Sequence, residues 1–195
     1  MALTLVTPAA EMPVSVIEAR QHCRASDAED AILALYLAAA TQAVQDATGR
    51  ALTTETWRLS GSAFPDACLI LPPAPLLAVS EVRYWTDETV PVDTLLAATV
   101  YQVAAPSGPT APPGTISLAP AQSWPAAQAG REDAVRVTFT AGYGADASAV
   151  PAPLRAAVLL MTGSMYEFRE ADAARALTEN PAVARLLNPY RLYWL

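Results

Sequence analysis

The sequence predicts an α+β protein in which a helical core carries an inserted antiparallel β region. Apolar residues recur with helical spacing in two stretches, one within residues 16–48 and one within 150–171. Between residues 52 and 140 the period falls to two, and turn residues recur about every ten residues, as in antiparallel strands. With 53% hydrophobic residues among 195, the chain can bury a real core. We therefore expect one domain over residues 1–195, with a β-rich insertion over 52–140.

The N-terminal part is expected to form two helices after an extended lead-in from Thr4 to Pro13. Ser15 is placed to cap a short helix from Val16 to Cys23. A long second helix should run from Ala28 to about Thr48, with Asp27 as its N-cap and Gly49 just past its end. Its predicted core stripe is Leu33, Leu37, Ala40, Val44 and Ala47.

Six strands are expected in the middle of the chain, enough for a small antiparallel sheet. They are Thr54 to Ser60, Ala67 to Leu71, Val79 to Trp85, Val100 to Ala104, Thr115 to Leu118 and Ala134 to Thr140. The stretch from Ala104 to Gly114 holds four prolines and two glycines in eleven residues, which predicts a loop or arm.

The longest apolar helical pattern, Val150 to Ala171, is the predicted central helix. Pro151 and Pro153 suit its first turn, where a missing N–H costs nothing. Its core stripe is expected to be Leu154, Ala157, Val158, Met161, Met165 and Phe168. The apolar run falls short of the roughly 20 residues that span a bilayer, so no membrane span is predicted. A last short helix should cover Pro181 to Leu187.

Composition argues against several classes of function. The net charge is -7 and all twelve basic residues are arginines, which disfavours a protein that grips nucleic acid. His22 has no metal ligand or nucleophile at a suitable spacing, and Cys23 and Cys68 are expected to be buried thiols. Gly142 and Gly144 are not followed by the lysine of a phosphate loop. The sequence therefore predicts no enzyme, no metal and no cofactor.

The C-terminal segment is the strongest candidate functional element. Aromatic residues and arginine are typical anchors of protein interfaces. The segment comprises Tyr190, Arg191, Leu192, Tyr193, Trp194 and Leu195. If exposed, it would be an aggregation liability unless it docked onto a partner. The alternative is that it folds back onto its own core. Nearby, Glu167, Arg169 and Glu170 have a spacing that suits surface or interfacial ion pairs better than acid–base chemistry.

Taken together, the chain resembles the head-tail connector, or adaptor, proteins of bacteriophages and gene transfer agents. The resemblance spans about Pro13 to Arg191 and rests on an ordered set of landmarks, none of them diagnostic alone. They are Pro13-Val14-Ser15, Glu18-Ala19-Arg20 with Arg24, Thr48-Gly49-Arg50-Ala51-Leu52 with Trp57, Phe64-Pro65, Leu71-Pro72, Pro75-Leu76, the strand Val79 to Tyr84, Trp124-Pro125, Phe139-Thr140-Ala141-Gly142-Tyr143-Gly144, Val150-Pro151, Tyr166-Glu167, Arg169-Glu170, Leu186-Leu187 and Pro189-Tyr190-Arg191.

The resemblance implies a structural protein that forms a ring of about a dozen copies beneath a portal, extends the DNA channel and receives stopper or tail proteins. DNA would be passing cargo, and the protein would belong to the particle's head–tail interface after assembly in the bacterial cytoplasm. We assign portal docking to Tyr190, Arg191, Tyr193, Trp194 and Leu195, and a ring contact to Glu167, Arg169 and Glu170. Two alternatives are a small α+β ligand-binding or regulatory domain and an enzyme with an unrecognised site.

Overall fold

The computed structural model describes residues 1–168 and 181–193 and divides the chain into two compact units. The β unit comprises Met1–Ala9 and Thr54–Gly142, and the helical unit comprises Ala10–Thr53 and Tyr143–Leu195. The described residues form four α-helices and eight strands in two antiparallel sheets, which confirms the predicted α+β class. None of the described helices is long and apolar enough to cross a membrane.

The helical unit is built from α1 (Val16–Cys23), α2 (Asp30–Thr48), α3 (Ala152–Glu167) and α4 (Pro181–Leu187). Helices α2 and α3 pack on each other, and both α1 and α4 pack on this pair. The shared apolar core is Val14, Leu37, Ala40, Val44, Leu52, Val150, Leu154, Ala157, Val158, Met161, Val183, Leu187 and Tyr190. Residues from α2, α3, α4 and the terminal turn thus enter one core, and Val16 of α1 packs against it.

The helix ends follow their local sequence closely. Ser15 caps α1 through a reciprocal pair of hydrogen bonds with Glu18, as the sequence predicts for this N-cap. The prediction of Asp27 as the N-cap of the long helix is wrong, because Glu29 is the residue that directly precedes α2. Ser26 and Glu29 form the capping pair there, and a 3-10 turn over Asp27–Glu29 precedes α2. Gly49 ends α2 in the left-handed conformation with φ at 70°.

Most of the predicted helical core is confirmed, but the ends of both stripes are wrong. Ala47 is exposed, and Thr48 is buried in its place because its hydroxyl donates to the Val44 carbonyl at 2.7 Å. Phe168 is 55% exposed because α3 ends at Glu167. The predicted helix continued to Ala171; residues 169–171 lie outside the described part of the chain.

The β unit contains a five-stranded sheet in the order β1-β2-β8-β4-β5 and a three-stranded sheet in the order β3-β7-β6. The strands are β1 (Ala2–Thr7), β2 (Glu55–Gly61), β3 (Cys68–Leu71), β4 (Leu76–Trp85), β5 (Asp93–Leu95), β6 (Tyr101–Ala104), β7 (Gly114–Leu118) and β8 (Val135–Ala141). All pairings are antiparallel. All six predicted strands are confirmed within a few residues, and the stretch between β6 and β7 has no helix or strand, as predicted.

Two strands were missed and one cysteine was misplaced. Strand β1 overlaps the start of the expected lead-in, and the three-residue strand β5 follows Pro91 closely. Cys68 is exposed rather than buried, because it alternates along β3 with Leu69 and Leu71, which face the interior. Cys23 is half-buried, and burial raises the pKa of its thiol. The expectation of two buried thiols is therefore wrong for Cys68.

Candidate assembly surfaces

The C-terminal segment folds along the end of α2 within the helical unit. After α4, a 3-10 turn over Asn188–Tyr190 carries the Tyr190 ring into the apolar core, where 9% of the residue is exposed. The Tyr190 carbonyl accepts a hydrogen bond from Nε of Arg50 at 2.6 Å. Two residues later, the Leu192 N–H donates to the Thr48 carbonyl at 3.0 Å. The segment therefore satisfies one of the carbonyls left free at the end of α2.

Arg50 is the main feature of this site that sequence reasoning missed. It is 2% exposed, although an arginine one residue past a helix end normally reaches solvent. The Arg50 guanidinium also affects Tyr143. Burial raises the pKa of the Tyr143 phenol, and the nearby guanidinium partly opposes this rise. An arginine immediately after a helix-ending glycine was visible in the sequence, but only the fold shows what it holds.

The premise that the whole terminal segment is exposed is wrong for Tyr190, since this ring belongs to the core of its own unit. Arg191 and Tyr193 are exposed, and the Tyr193 hydroxyl lies 3.1 Å from Oδ1 of Asn188. Trp194 and Leu195 lie outside the described residues. The alternative of a tail folded back on its own core thus holds for the first part of the segment.

The structure describes only one of the three residues expected to form the ring contact. Glu167 is exposed and is the last residue of α3, while Arg169 and Glu170 lie outside the described residues. One residue earlier, the Tyr166 hydroxyl is 2.8 Å from Oε2 of Glu29, which anchors this end of α3 beside the start of α2.

A further surface lies at the edge of the large sheet. Within the described part of the chain, strand β1 pairs only with β2, and all six of its residues are exposed. Leu3, Leu5 and Val6 are 40%, 42% and 44% exposed. Edge strands usually carry charge, proline or very short length to prevent further pairing. Residues 2–7 contain no charged residue and no proline.

The chain is similar to known proteins only among solved structures. No protein-family model matches the sequence, and no curated protein matches it. A chain from the structure titled "Neck of empty GTA particle computed with C6 symmetry" is 30% identical, with a TM-score of 0.81. A chain from "Virion of native gene transfer agent (GTA) particle" is 31% identical, with a TM-score of 0.80. Both matches cover 100% of this chain and 97% of the other. The chain belongs to this family of particle neck proteins.

A third structure agrees with this assignment. A chain from "Neck of native GTA particle computed with C12 symmetry" is 29% identical over 100% of this chain and 97% of its own length, with a TM-score of 0.76. The relatives are components of gene transfer agent particles, so the family is a structural one.

The structure also describes His22, the residue considered for metal or acid–base chemistry. His22 is exposed on α1, close to the backbone of Gly163. Within residues 1–168 and 181–193 there is no group of three or more histidine, cysteine or acidic side chains that could hold a metal ion.

Proposed function

We propose that the chain is the head-tail connector, or adaptor, of a phage-like or gene transfer agent particle. It would form a ring of about twelve copies beneath the portal, extend the DNA channel and receive stopper or tail proteins. The observation that carries the proposal is the full-length likeness to a neck component at 30% identity. The C6 and C12 symmetries of the related neck structures support a ring.

The charge of the chain fits a conduit for DNA. A net charge of -7 with twelve basic residues offers little basis for neutralising phosphates. A duplex that has to pass through a ring must not adhere to it, so weak or repulsive electrostatics help transit. The protein has no need of catalysis in this role, and it resides in the particle.

Portal docking by the terminal segment is part of the proposal, but fewer of its residues are available as anchors than the sequence predicted. Tyr190 is occupied in the core, which leaves Arg191 and Tyr193 as exposed candidates among the described residues. Trp194 and Leu195 continue the same segment. Because a ring presents many copies, a modest contact per copy becomes a durable attachment through avidity. The ring contact assigned to Glu167, Arg169 and Glu170 is likewise proposed, as is the treatment of residues 52–140 as an insertion in one connector domain.

The role is tested by deleting the gene from the producing strain. Particles should then accumulate as heads without tails, and a plasmid-borne copy should restore tailed particles, both seen by electron microscopy. Normal tailed particles in the deletion strain would disprove the proposal.

Docking is tested with Arg191→Glu and with a chain ending at Leu192, both mixed with purified portal. Both variants should keep the wild-type melting temperature and lose co-sedimentation with portal. Arg185→Glu is the matched control, because it makes the same charge change at an exposed arginine on α4. Retained binding by both variants would place docking elsewhere on the chain.

A further inference from the structure

The core face of the large sheet continues without interruption to its β1 edge. In antiparallel sheets, residues directly opposite each other point to the same face. The registers define one row, Leu3–Leu59–Val137–Val82, and a second row, Leu5–Trp57–Phe139–Val79. Leu59, Val137, Phe139 and Val82 are buried. Each row thus ends at β1 in a leucine with a strand on one side only.

The opposite edge of the same sheet is also open over part of its length. Strand β4 has ten residues, but β5 pairs only with Arg83, Tyr84 and Trp85. The Val82 carbonyl also accepts from the Leu96 N–H at 2.8 Å, so the outer side of residues 76–81 is the part without a partner strand among the described residues. This part of β4 exposes Leu77 (43% exposed) and carries no charge before Glu81.

Strand direction makes the two edges compatible with each other. Successive strands in the order β1-β2-β8-β4 alternate in direction, since every pairing is antiparallel. Strand β1 of a second copy, placed beside β4 in the same sheet plane, would therefore run antiparallel to it. Residues 2–7 and 76–80 are uncharged, so pairing these stretches buries no unpaired charge.

We propose that β1 of each copy adds to the open edge of β4 in the next copy, so that the large sheets join into one continuous sheet around the ring. This inference rests on the proposed ring. A contact between two different edges is head-to-tail, and such contacts close into rings when the rotation per copy permits. Leu3 and Leu5 then gain the cross-strand neighbours that they lack, with Val79 of the next copy in the same row.

Cysteine cross-linking tests the contact in assembled particles. The variants are Leu5→Cys with Val79→Cys, and Leu3→Cys with Val79→Cys, which cover registers two residues apart. Both are made with Cys23→Ala and Cys68→Ser and treated with a short bifunctional thiol reagent. At least one should give a ladder of products larger than dimers, because each copy carries both halves of the contact. Leu35→Cys with Val79→Cys is the control, since Leu35 is 62% exposed on α2; it should give no ladder.

The other outcomes overturn the inference separately from the proposed role. Incorporation of the cysteine variants into particles without cross-links would reject β1–β4 pairing while leaving the connector role intact. Dimers formed by Leu5→Cys alone would indicate a symmetric β1–β1 contact. Cross-links from Leu5→Cys to another particle protein would assign the edge to that partner. Absence of even the wild-type chain from particles would reject the connector role itself.

Charge substitutions give an independent test. Leu5→Lys alone should melt like wild type, and Val79→Glu alone should stay folded with a lower melting temperature because Val79 is half-buried; both should fail to enter particles. Co-expression of the two variants should restore entry, because alternating copies pair lysine with glutamate at one contact and wild-type residues at the next. Failure of this rescue, with both chains folded, would contradict head-to-tail pairing.

Discussion

The two units of this protein differ in how completely they bury their apolar residues. In the helical unit, four helices and the terminal turn converge on one core, and even Tyr190 near the end of the described chain is buried. In the β unit, buried rows of the large sheet end at Leu3 and Leu5, which are 40% and 42% exposed. A closed core stabilises each copy, whereas the open edge is the surface that we propose for contact between copies.

Each unit also contains a cluster of arginine and carboxylate side chains, and the two clusters support different elements. In the helical unit, Arg155 bonds to Glu18, whose carboxylate also caps α1. In the β unit, Asp93 on β5 bonds to both Arg83 and Arg136. The Arg136 guanidinium also lies 5.4 Å from the centre of the Trp85 ring. A three-residue strand offers little backbone pairing, so side-chain charges hold β5 at its edge.

The largest expected effect comes from Met161→Asp in the closed core. Met161 is 5% exposed on α3, so the carboxylate would be buried without a partner, at a cost of several kcal/mol. The helical circular dichroism signal at 222 nm should collapse at a much lower temperature. Leu35→Asp, at a 62% exposed site on α2, is the control and should cost less than about 1 kcal/mol. Equal melting of Met161→Asp and wild type would contradict the core assignment.

Truncation after Asn188 should rank second. It removes the buried Tyr190 ring and leaves Arg50 without the carbonyl that it bonds, which should cost about 3–5 kcal/mol. The chain ending at Leu192 keeps both contacts and should melt like wild type. Thermal denaturation of the two truncations separates the folding role of the segment from docking. A stable chain ending at Asn188 would mean that Tyr190 adds little to the core.

Gly49→Ala should have a smaller effect. The residue has φ at 70°, a conformation that alanine adopts at a cost of about 1 kcal/mol. The added Cβ would lie 3.5 Å from Leu192, an ordinary contact, so the cost is in the backbone alone. Gly49→Asn should recover part of the loss, because asparagine tolerates this conformation better. Chemical denaturation curves would show the order glycine, asparagine, alanine; equal stability of all three would refute the backbone explanation.

Local sequence patterns predicted much of the fold, whereas features set by contacts between distant parts of the sequence were missed. The apolar stripe of α3 and the six strands follow from periodicity, which a single segment displays by itself. Strand β1 was missed because Val6 breaks the alternation of Leu3, Thr4 and Leu5 after three residues, which leaves too short a pattern. Arg50 and Tyr190 meet across 140 positions of sequence, a separation that no local pattern spans. The candidate surfaces were therefore only partly predictable: the terminal segment was identified by composition, but its burial was not.

The smallest expected effects are in the acid response of the two charge clusters. The backbone N–H of Ser15 lowers the pKa of Glu18 from its ordinary value of 4.5; burial opposes this, and the Ser15 hydroxyl and Arg155 add to it. For Asp93, burial acts to raise the pKa, but bonds from Arg136 and Arg83 prevail and the pKa falls below its ordinary 3.8.

Both carboxylates therefore stabilise the fold when ionised. Their contribution is fully present above the ordinary values and is lost as the pH falls through the lowered ones. In Glu18→Gln, the circular dichroism signal at 222 nm should fall less steeply with pH between about pH 5 and 2, since an amide does not titrate there. Asp93→Asn should do the same for tryptophan fluorescence, measured in the chain ending at Leu192, because its three tryptophans, Trp57, Trp85 and Trp124, lie in the β unit. Each variant should leave the other signal's acid profile like that of the wild type. If Glu18→Gln shifted only the fluorescence, or Asp93→Asn only the helical signal, the assignment of each charge cluster to the stability of its own unit would fail.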